Sequence, residues 1–272
     1  MHLTWARVGR FATFLAAALW AAPVALLVIG SLRGRGVAPP GGLELFPAEP
    51  SLQAYRLVFD LLPVTTYARN SALVVLFAVP LTILVASLTA FGIRLLRPKA
   101  RRLAIIAIIA LLLIPTTAVW ATRLEVYKAL SIADTLVALI APALLATTPF
   151  HVLVYLFAYH QLDDEVLDAA VVDGAGPWRM WFCVGLPNVR AATAAVVTLS
   201  FAWHWGNFLD PLLYVSDPNL TTLPLGLSLL QQLNPTDFPL LLAGAAIVAV
   251  PPILVLLWGQ RQFLDPARWS PS

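Results

Sequence analysis

Charged side chains are scarce in this sequence. Lys and Arg number 17 and Asp and Glu 14 among 272 residues, a charged share of 11%, where a soluble domain carries about 25%. That is too little charge to wet the surface of a soluble chain of this length. Hydrophobic residues make up 60%, so the solvent the chain is built for is lipid. Cysteine is nearly missing: Cys183 stands alone, which excludes an intrachain disulfide and a Cys-rich metal site. The four histidines, His2, His151, His160 and His204, are scattered and no HExxH occurs, so no metal ligand set is expected. No GxxxxGK[ST] phosphate loop occurs either, so the chain is not expected to bind ATP itself. The net charge of +3 is small, and no nucleic-acid partner is expected.

What is present is a set of long runs without charge. About 30 Å of hydrocarbon at 1.5 Å per residue requires about 20 apolar residues. Six runs qualify, at 11–32, 70–93, 103–122, 135–162, 191–209 and 238–260, each bounded by Arg or Asp. One charge at mid-membrane costs roughly 2.5–3.5 kcal/mol, so six such windows are read as six membrane spans. The fourth is placed at 135–160 and the fifth at 191–215. The first run is longer than the apolar core of a cleaved signal and is read as a retained span. Prolines are 22 in number, many for soluble helices but better tolerated in membrane ones. Pro115 is expected to kink the third span, Thr147-Thr148-Pro149 the fourth, and Pro251-Pro252 the sixth.

Lys and Arg set the orientation. With the N-terminus cytoplasmic, 11 of the 17 fall on inside segments, five of them between Arg94 and Arg102. Both termini are therefore expected inside. Two outside loops, 33–69 and 210–237, are long enough to hold structure. The first includes a candidate short helix at 51–62, and the second carries the turn-forming Asp217-Pro218-Asn219 and Asn234-Pro235. No repeat and no second domain is visible. The fold class is all-α integral membrane.

The longest inside connection, 163–190, reads as two short helices. Asp163 suits an N-cap, and Asp164 and Glu165 suit the positive end of a helix dipole. Gly174 is placed to end that helix in the left-handed conformation. Pro177 opens a second helix, whose Trp178, Trp181 and Phe182 recur at i, i+3 and i+4 on one face. In the first helix Ala169 and Ala170 are small, and Asp164 and Asp168 share a side. Such a surface suits insertion into a groove carrying Arg or Lys. An amphipathic helix lying at the membrane surface fits the same residues.

Asp168-Ala169-Ala170, three residues on Gly174, then Trp181-Phe182 and Leu186-Pro187, resemble the EAA loop of bacterial ATP-binding-cassette importer permeases. That family's pattern is Glu-Ala-Ala, three residues, Gly, an aromatic and Leu-Pro. Position 168 departs from it with Asp, which keeps the charge but is one methylene shorter. Asn70-Ser71, Trp205-x-Asn207-Phe208-Leu209 with Pro211-Leu212-Leu213, and Thr222-Leu223-Pro224-Leu225-Gly226 are similar to the carbohydrate-uptake branch, of the maltose- and glycerol-phosphate-permease type. The similarity runs from the first span to Gln260; the tail 264–272 departs from the branch's usual ending.

The resemblance implies six spans with a cytoplasmic coupling helix between the fourth and fifth. It implies a second homologous permease as pore partner and two copies of a cytoplasmic ATPase that hold ATP and Mg. An extracytoplasmic binding protein would deliver a sugar or sugar-like solute, and the chain would lie in the bacterial inner membrane. The implied ATPase-coupling residues are Glu165, Asp168, Ala169, Ala170, Asp173, Gly174 and Pro187. Polar or aromatic residues in apolar surroundings are pathway candidates: Asn70, Ser71, Trp205 and Asn207 first, then Thr116, Thr117, Trp203 and His204. Trp203 and Trp205 fit an interfacial belt equally, and Asn70 and Ser71 fit bonds between helices. A permease for a glycerol phosphate ester or polyol remains open, as does an ion-coupled carrier. The carrier is disfavoured because no charge sits mid-span. A membrane-embedded enzyme would need clustered acids or histidines near one membrane face.

Overall fold

A computed structural model of the chain describes residues 2–34, 46–144 and 148–263. Part of the first outer loop (35–45), Thr147 of the expected fourth-span kink, and the tail 264–272 lie outside the described residues. Among the described residues the fold is entirely helical. In chain order the helices are α1 (His2–Ser31), α2 (Gln53–Leu61), α3 (Val64–Arg94), α4 (Pro98–Leu113), α5 (Trp120–Ala129), α6 (Leu136–Ile140) and α7 (Thr148–His160). There follow α8 (Asp164–Val172), α9 (Pro177–Arg179), α10 (Leu186–Asn188), α11 (Arg190–Trp205), α12 (Leu209–Tyr214), α13 (Leu223–Leu233) and α14 (Phe238–Phe263). Single-turn helices of 3-10 type and one π-helix, Met180–Gly185, link some of them.

Four stretches are long and apolar enough to cross a membrane: Thr13–Ser31, Val64–Arg94, Leu136–His160 and Phe238–Arg261. Two bent pairs pass the same criterion, so the count rises to six if each pair is one span. The first pair, Pro98–Leu113 and Thr116–Ala129, is bent by 84°. Its break is caused by Pro115, which removes an N–H and drives the preceding Ile114 out of the helical region, to φ −76° and ψ 115°. The apolar window 103–122 therefore does not run as one rod. The second pair, Pro177–Asn188 and Arg190–Trp205, is bent by 82° at Val189. Not every proline breaks its helix: Pro23, Pro80, Pro251 and Pro252 lie inside unbroken helices. In lipid the exposed faces are apolar. Leu76 and Phe77 of α3, Leu113 of α4, Phe157 of α7 and Leu254 of α14 are all more than half exposed.

The chain divides into two compact units. The first comprises Met1–Val64 and Gly226–Val250. Within it α2 is the short helix expected near 51–62, and it buries Ala54 and Val58 one turn apart. The Ser31 hydroxyl donates to the Val28 carbonyl at 2.6 Å and bonds the Tyr55 hydroxyl at 2.7 Å, which ties the end of α1 to α2.

The second unit comprises Thr65–Leu225 and Pro251–Ser272. Its main core joins Ala86, Ala90 and Phe91 of α3, Ile108 of α4, Tyr155 and Tyr159 of α7, Leu167 and Ala170 of α8, and Trp181. Ala86 and Ala90, one turn apart and fully buried, let neighbouring helices approach closely. Small residues are what helix contacts in lipid select, because packing rather than water release drives them. A smaller cluster gathers Tyr127 of α5, Ala138 of α6 and Tyr214 of α12.

Candidate functional site

The segment from Asp163 to Asn188 lies within the second unit and projects its polar side outward. α8 starts where sequence chemistry starts it: Asp163 holds the N-cap backbone conformation, φ −63° and ψ 136°. Its side chain, however, makes no capping hydrogen bond. The negative charge at this helix end comes instead from Asp164 and Glu165 in the first turn. The stop is complete. Gly174 adopts φ +75°; its N–H donates to the Val171 carbonyl at 3.0 Å, and the Ala175 N–H donates to the Ala170 carbonyl at 2.9 Å. This pair of bonds is a Schellman motif, and its left-handed residue favours glycine.

α8 has two faces. Leu167 and Ala170 are buried in the main core. Glu165, Asp168, Ala169, Asp173 and Gly174 are exposed. No ion-pair partner for Glu165, Asp168 or Asp173 is found among the described residues. Apolar groups flank these acids: Val172 is 86% exposed, Trp178 70% and Phe182 63%. In water such a rim has no reason to stay uncovered, so the face is built to be covered.

The segment is anchored by side chains from two helices, α3 and α7. Arg94, the last residue of α3, pairs through Nη2 with Asp164 and donates from Nε to the Tyr159 carbonyl at 3.3 Å. The Trp181 indole N–H donates to the Ser87 hydroxyl at 3.3 Å. Gly185 is buried against an aromatic wall: a Cβ there would lie 2.9 Å from the Phe91 ring and 3.4 Å from Tyr159. Trp178, Trp181 and Phe182 contact one another with ring centroids 6.0 and 5.9 Å apart, but they do not share the burial that α-helical spacing predicts. The chain here runs as the π-helix Met180–Gly185, whose turns close one residue later. Trp181 is turned into the core and its two neighbours are left outside. Pro187, in α10, is exposed.

The pathway candidates fall in other places. Asn70 and Ser71 are 4% and 2% exposed. The Asn70 amide donates to the Asn219 and Thr221 carbonyls at 2.8 and 2.9 Å, and the Ser71 hydroxyl accepts the Leu223 N–H at 2.8 Å. They grip the segment 219–223 from the first turns of α3. Trp205 is buried at the end of α11, stacked on Phe201 at 5.5 Å. Asn207 is half-buried just beyond it and forms a reciprocal pair with Asp210. Its amide donates to Asp210 Oδ2 at 2.8 Å, and its carbonyl oxygen accepts the Asp210 N–H at 3.1 Å. His204 is buried, with Nδ1 2.8 Å from the Ser200 carbonyl. A carbonyl only accepts, so Nδ1 carries a proton and donates it there. Trp203, Thr116 and Thr117 are exposed. The candidates for coupling and those for the pathway thus lie in different segments of the chain.

Sequence reasoning passed over several residues that hold these groups. Arg94 and Asp210 appeared only as charges bounding apolar runs, and Gly185 and Tyr159 not at all. The one signal available for Arg94 was its position as the first of five cations after a long apolar run. None was available for Gly185, whose wall comes from α3 and α7.

Residues 78–267 match the family described as binding-protein-dependent transport system inner membrane component. The chain is 27% identical over 235 residues to the sulfoquinovosyl glycerol transport system permease protein SmoH of Agrobacterium fabrum, covering 86% of this chain and 82% of that one. It is 26% identical over 247 residues to the arabinooligosaccharides transport system permease protein AraQ of Halalkalibacterium halodurans, covering 89% and 87%. Its fold is similar to that of a chain in a bacterial ABC transporter involved in the import of the acidic polysaccharide alginate, with a TM-score of 0.76, 17% identity and 96% of each chain covered.

Proposed function

The chain belongs to the binding-protein-dependent transport system inner membrane components, and from that premise we propose that it is the permease subunit of an ATP-binding-cassette importer for a sugar or sugar-like solute. It forms half of the translocation pore, and a second homologous permease forms the other half. An extracytoplasmic binding protein delivers the solute. Two cytoplasmic ATPase subunits hold the ATP and Mg, for which this chain has no phosphate loop. The relatives' named cargoes, a sulfoquinovosyl glycerol and arabinooligosaccharides, support the carbohydrate class.

The observation that carries the mechanism is the two-faced α8. Its inner face is locked into the core by Leu167 and Ala170, while Glu165, Asp168 and Asp173 face outward without partners in the described chain. In this proposal α8 is the coupling helix, on the cytoplasmic side between the fourth and fifth of six spans, with both termini cytoplasmic. Its acids and small Ala169 enter a basic groove on the ATPase, and the exposed Val172 and Trp178 close the rim. Closure of the ATPases on ATP then moves α8, and the anchored helices move with it as a rigid body between inward- and outward-facing states. In the pathway, Asn207 offers the polar contact to a solute beside Trp205. Asn70 and Ser71 shape the pathway by holding the segment 219–223.

The test is uptake by cells carrying Asp168→Asn or Gly174→Val chains with their partner subunits. Uptake is expected to fall while membrane insertion stays normal and co-purification of the ATPase weakens. Transport and ATPase binding unchanged in both variants would remove the coupling role. Solute flux in liposomes without any ATPase would remove the importer.

A further inference from the structure

The corner between α3 and α4 concentrates five cations in nine residues: Arg94, Arg97, Lys99, Arg101 and Arg102. Two are engaged within the chain. Arg94 pairs with Asp164 and holds the Tyr159 carbonyl. Arg101 folds back over the end of α3 and donates from Nη2 to the Arg94 carbonyl at 2.7 Å and the Leu96 carbonyl at 3.3 Å. The other three, Arg97, Lys99 and Arg102, are exposed, and no carboxylate pairs with them among the described residues. The buried Nε of Arg101 also has no acceptor.

The apolar surroundings decide what covers these cations. Leu95, Leu96 and Leu103 are 47%, 40% and 69% exposed beside them. The corner also joins the end of one candidate span, Val64–Arg94, to the start of the bent pair opening at Pro98, so it sits at headgroup depth. A soluble anion would neutralise the cations and leave the leucines in water. A partner with a phosphate at one end and hydrocarbon next to it satisfies both. α4 adds to the attraction, because it opens at Pro98 with no side chain capping its first turn, which leaves N–H donors at its positive end.

We propose that the α3–α4 corner is a binding site for the headgroup of an anionic phospholipid, held by Arg97, Lys99 and Arg102 with the acyl chains against Leu96 and Leu103. The lipid neutralises a corner that would otherwise repel itself. It thereby keeps Arg94, in the same corner, in its pair with the first acid of α8. The inference rests on the proposal above only in taking this face as cytoplasmic.

The experiment uses the full-length chain purified in detergent and mixed with equal amounts of phosphatidylglycerol and phosphatidylcholine, with retained lipid counted by native mass spectrometry. The unaltered chain is expected to retain phosphatidylglycerol by roughly tenfold or more over phosphatidylcholine, since each basic side chain near an anionic surface contributes several-fold. R97Q/K99Q/R102Q is expected to retain both lipids equally. R97K/R102K, which keeps the charges, is expected to keep the preference. So is R56Q/R69Q, which removes two exposed cations outside the 94–102 segment. Circular dichroism and a single elution peak establish that each variant is folded before lipid is added. Excess inorganic phosphate is expected to leave retention unchanged. An unaltered preference in the glutamine triple variant would overturn the site. So would an equal loss in R56Q/R69Q, or displacement of the lipid by phosphate. Retention is read without an ATPase, so failure here leaves the importer mechanism standing, and a failed uptake test leaves this site standing.

Discussion

Arg123 and Asp210, 87 residues apart in the chain, form an ion pair of 3.5 Å with side chains only 12% and 11% exposed. The pair binds α5, which follows the break at Pro115, to α12, which follows the end of α11 at Gly206. Around it Asn207 holds the second carboxylate oxygen, and Tyr214 lies under the guanidinium at 6.0 Å.

Removing one member of a buried pair leaves an uncompensated charge and costs about 3–5 kcal/mol, whereas removing both costs less. Arg123→Gln and Asp210→Asn are each expected to lower the unfolding temperature in detergent. The double variant is expected to unfold above at least one of the singles. Strictly additive losses in this cycle would show that the two charges do not interact.

Asn70 is expected to stabilise the segment 219–223 through its two donated bonds. Asn70→Ala loses both donors and leaves two carbonyls short, at about 1–3 kcal/mol. Asn70→Asp is expected to be worse, because a carboxylate facing two carbonyls can only repel. Limited proteolysis checks this. Cleavage within 215–223 should rise in the order native, Ala, Asp, while cleavage around α8 stays the same.

Gly185→Ala would drive a methyl group into the Phe91 ring at 2.9 Å. Overpacking of this kind costs about 1–3 kcal/mol. The same substitution combined with Phe91→Leu is expected to recover part of the loss in unfolding temperature. A single variant as stable as the native chain would mean that the Phe91 ring can move aside freely.

Gly174 poses the opposite case, because no atom lies within 4 Å of a Cβ built there. Any cost is conformational, and a left-handed residue with a side chain pays roughly 1–2 kcal/mol, less for Asn. Unfolding temperature and ATPase-driven uptake are both expected to rank Gly above Asn above Val at this position. A Val variant equal to the native chain in both would show that α8 can end in another way.

The local structure of the segment 163–188 was largely readable in advance. Asp164, Glu165, Gly174 and Pro177 are local signals, and the helix boundaries they set need no distant partner. The candidate spans were readable as apolar runs for the same reason. Long-range outcomes were not. Pro115 breaks its helix by 84° while Pro251 and Pro252 sit inside α14, and the residue type is identical. A proline removes one hydrogen bond; whether the helix then turns depends on what packs on either side, and a single sequence does not record that. The π-helix at Met180–Gly185 is hidden likewise, since it changes which residues share a face without changing composition. The Asn70 grip on 219–223 and the Arg123–Asp210 pair each join positions more than 80 residues apart.

Arg94 closes α3, receives Arg101 on its carbonyl, holds the end of α7 through Tyr159 and pairs with the first acid of α8. One guanidinium is thus the pivot on which three helix ends meet, and no slack loop separates them. In the proposed mechanism, work done on α8 would reach the foot of α3, which has 31 residues and is therefore about 46 Å long. A rod of that length would convert a small stroke at its base into a larger excursion at its far end. Under the proposed coupling, the gain would be set by helix length, and the stiffness by Arg94 together with the Trp181–Ser87 and Gly185–Phe91 contacts.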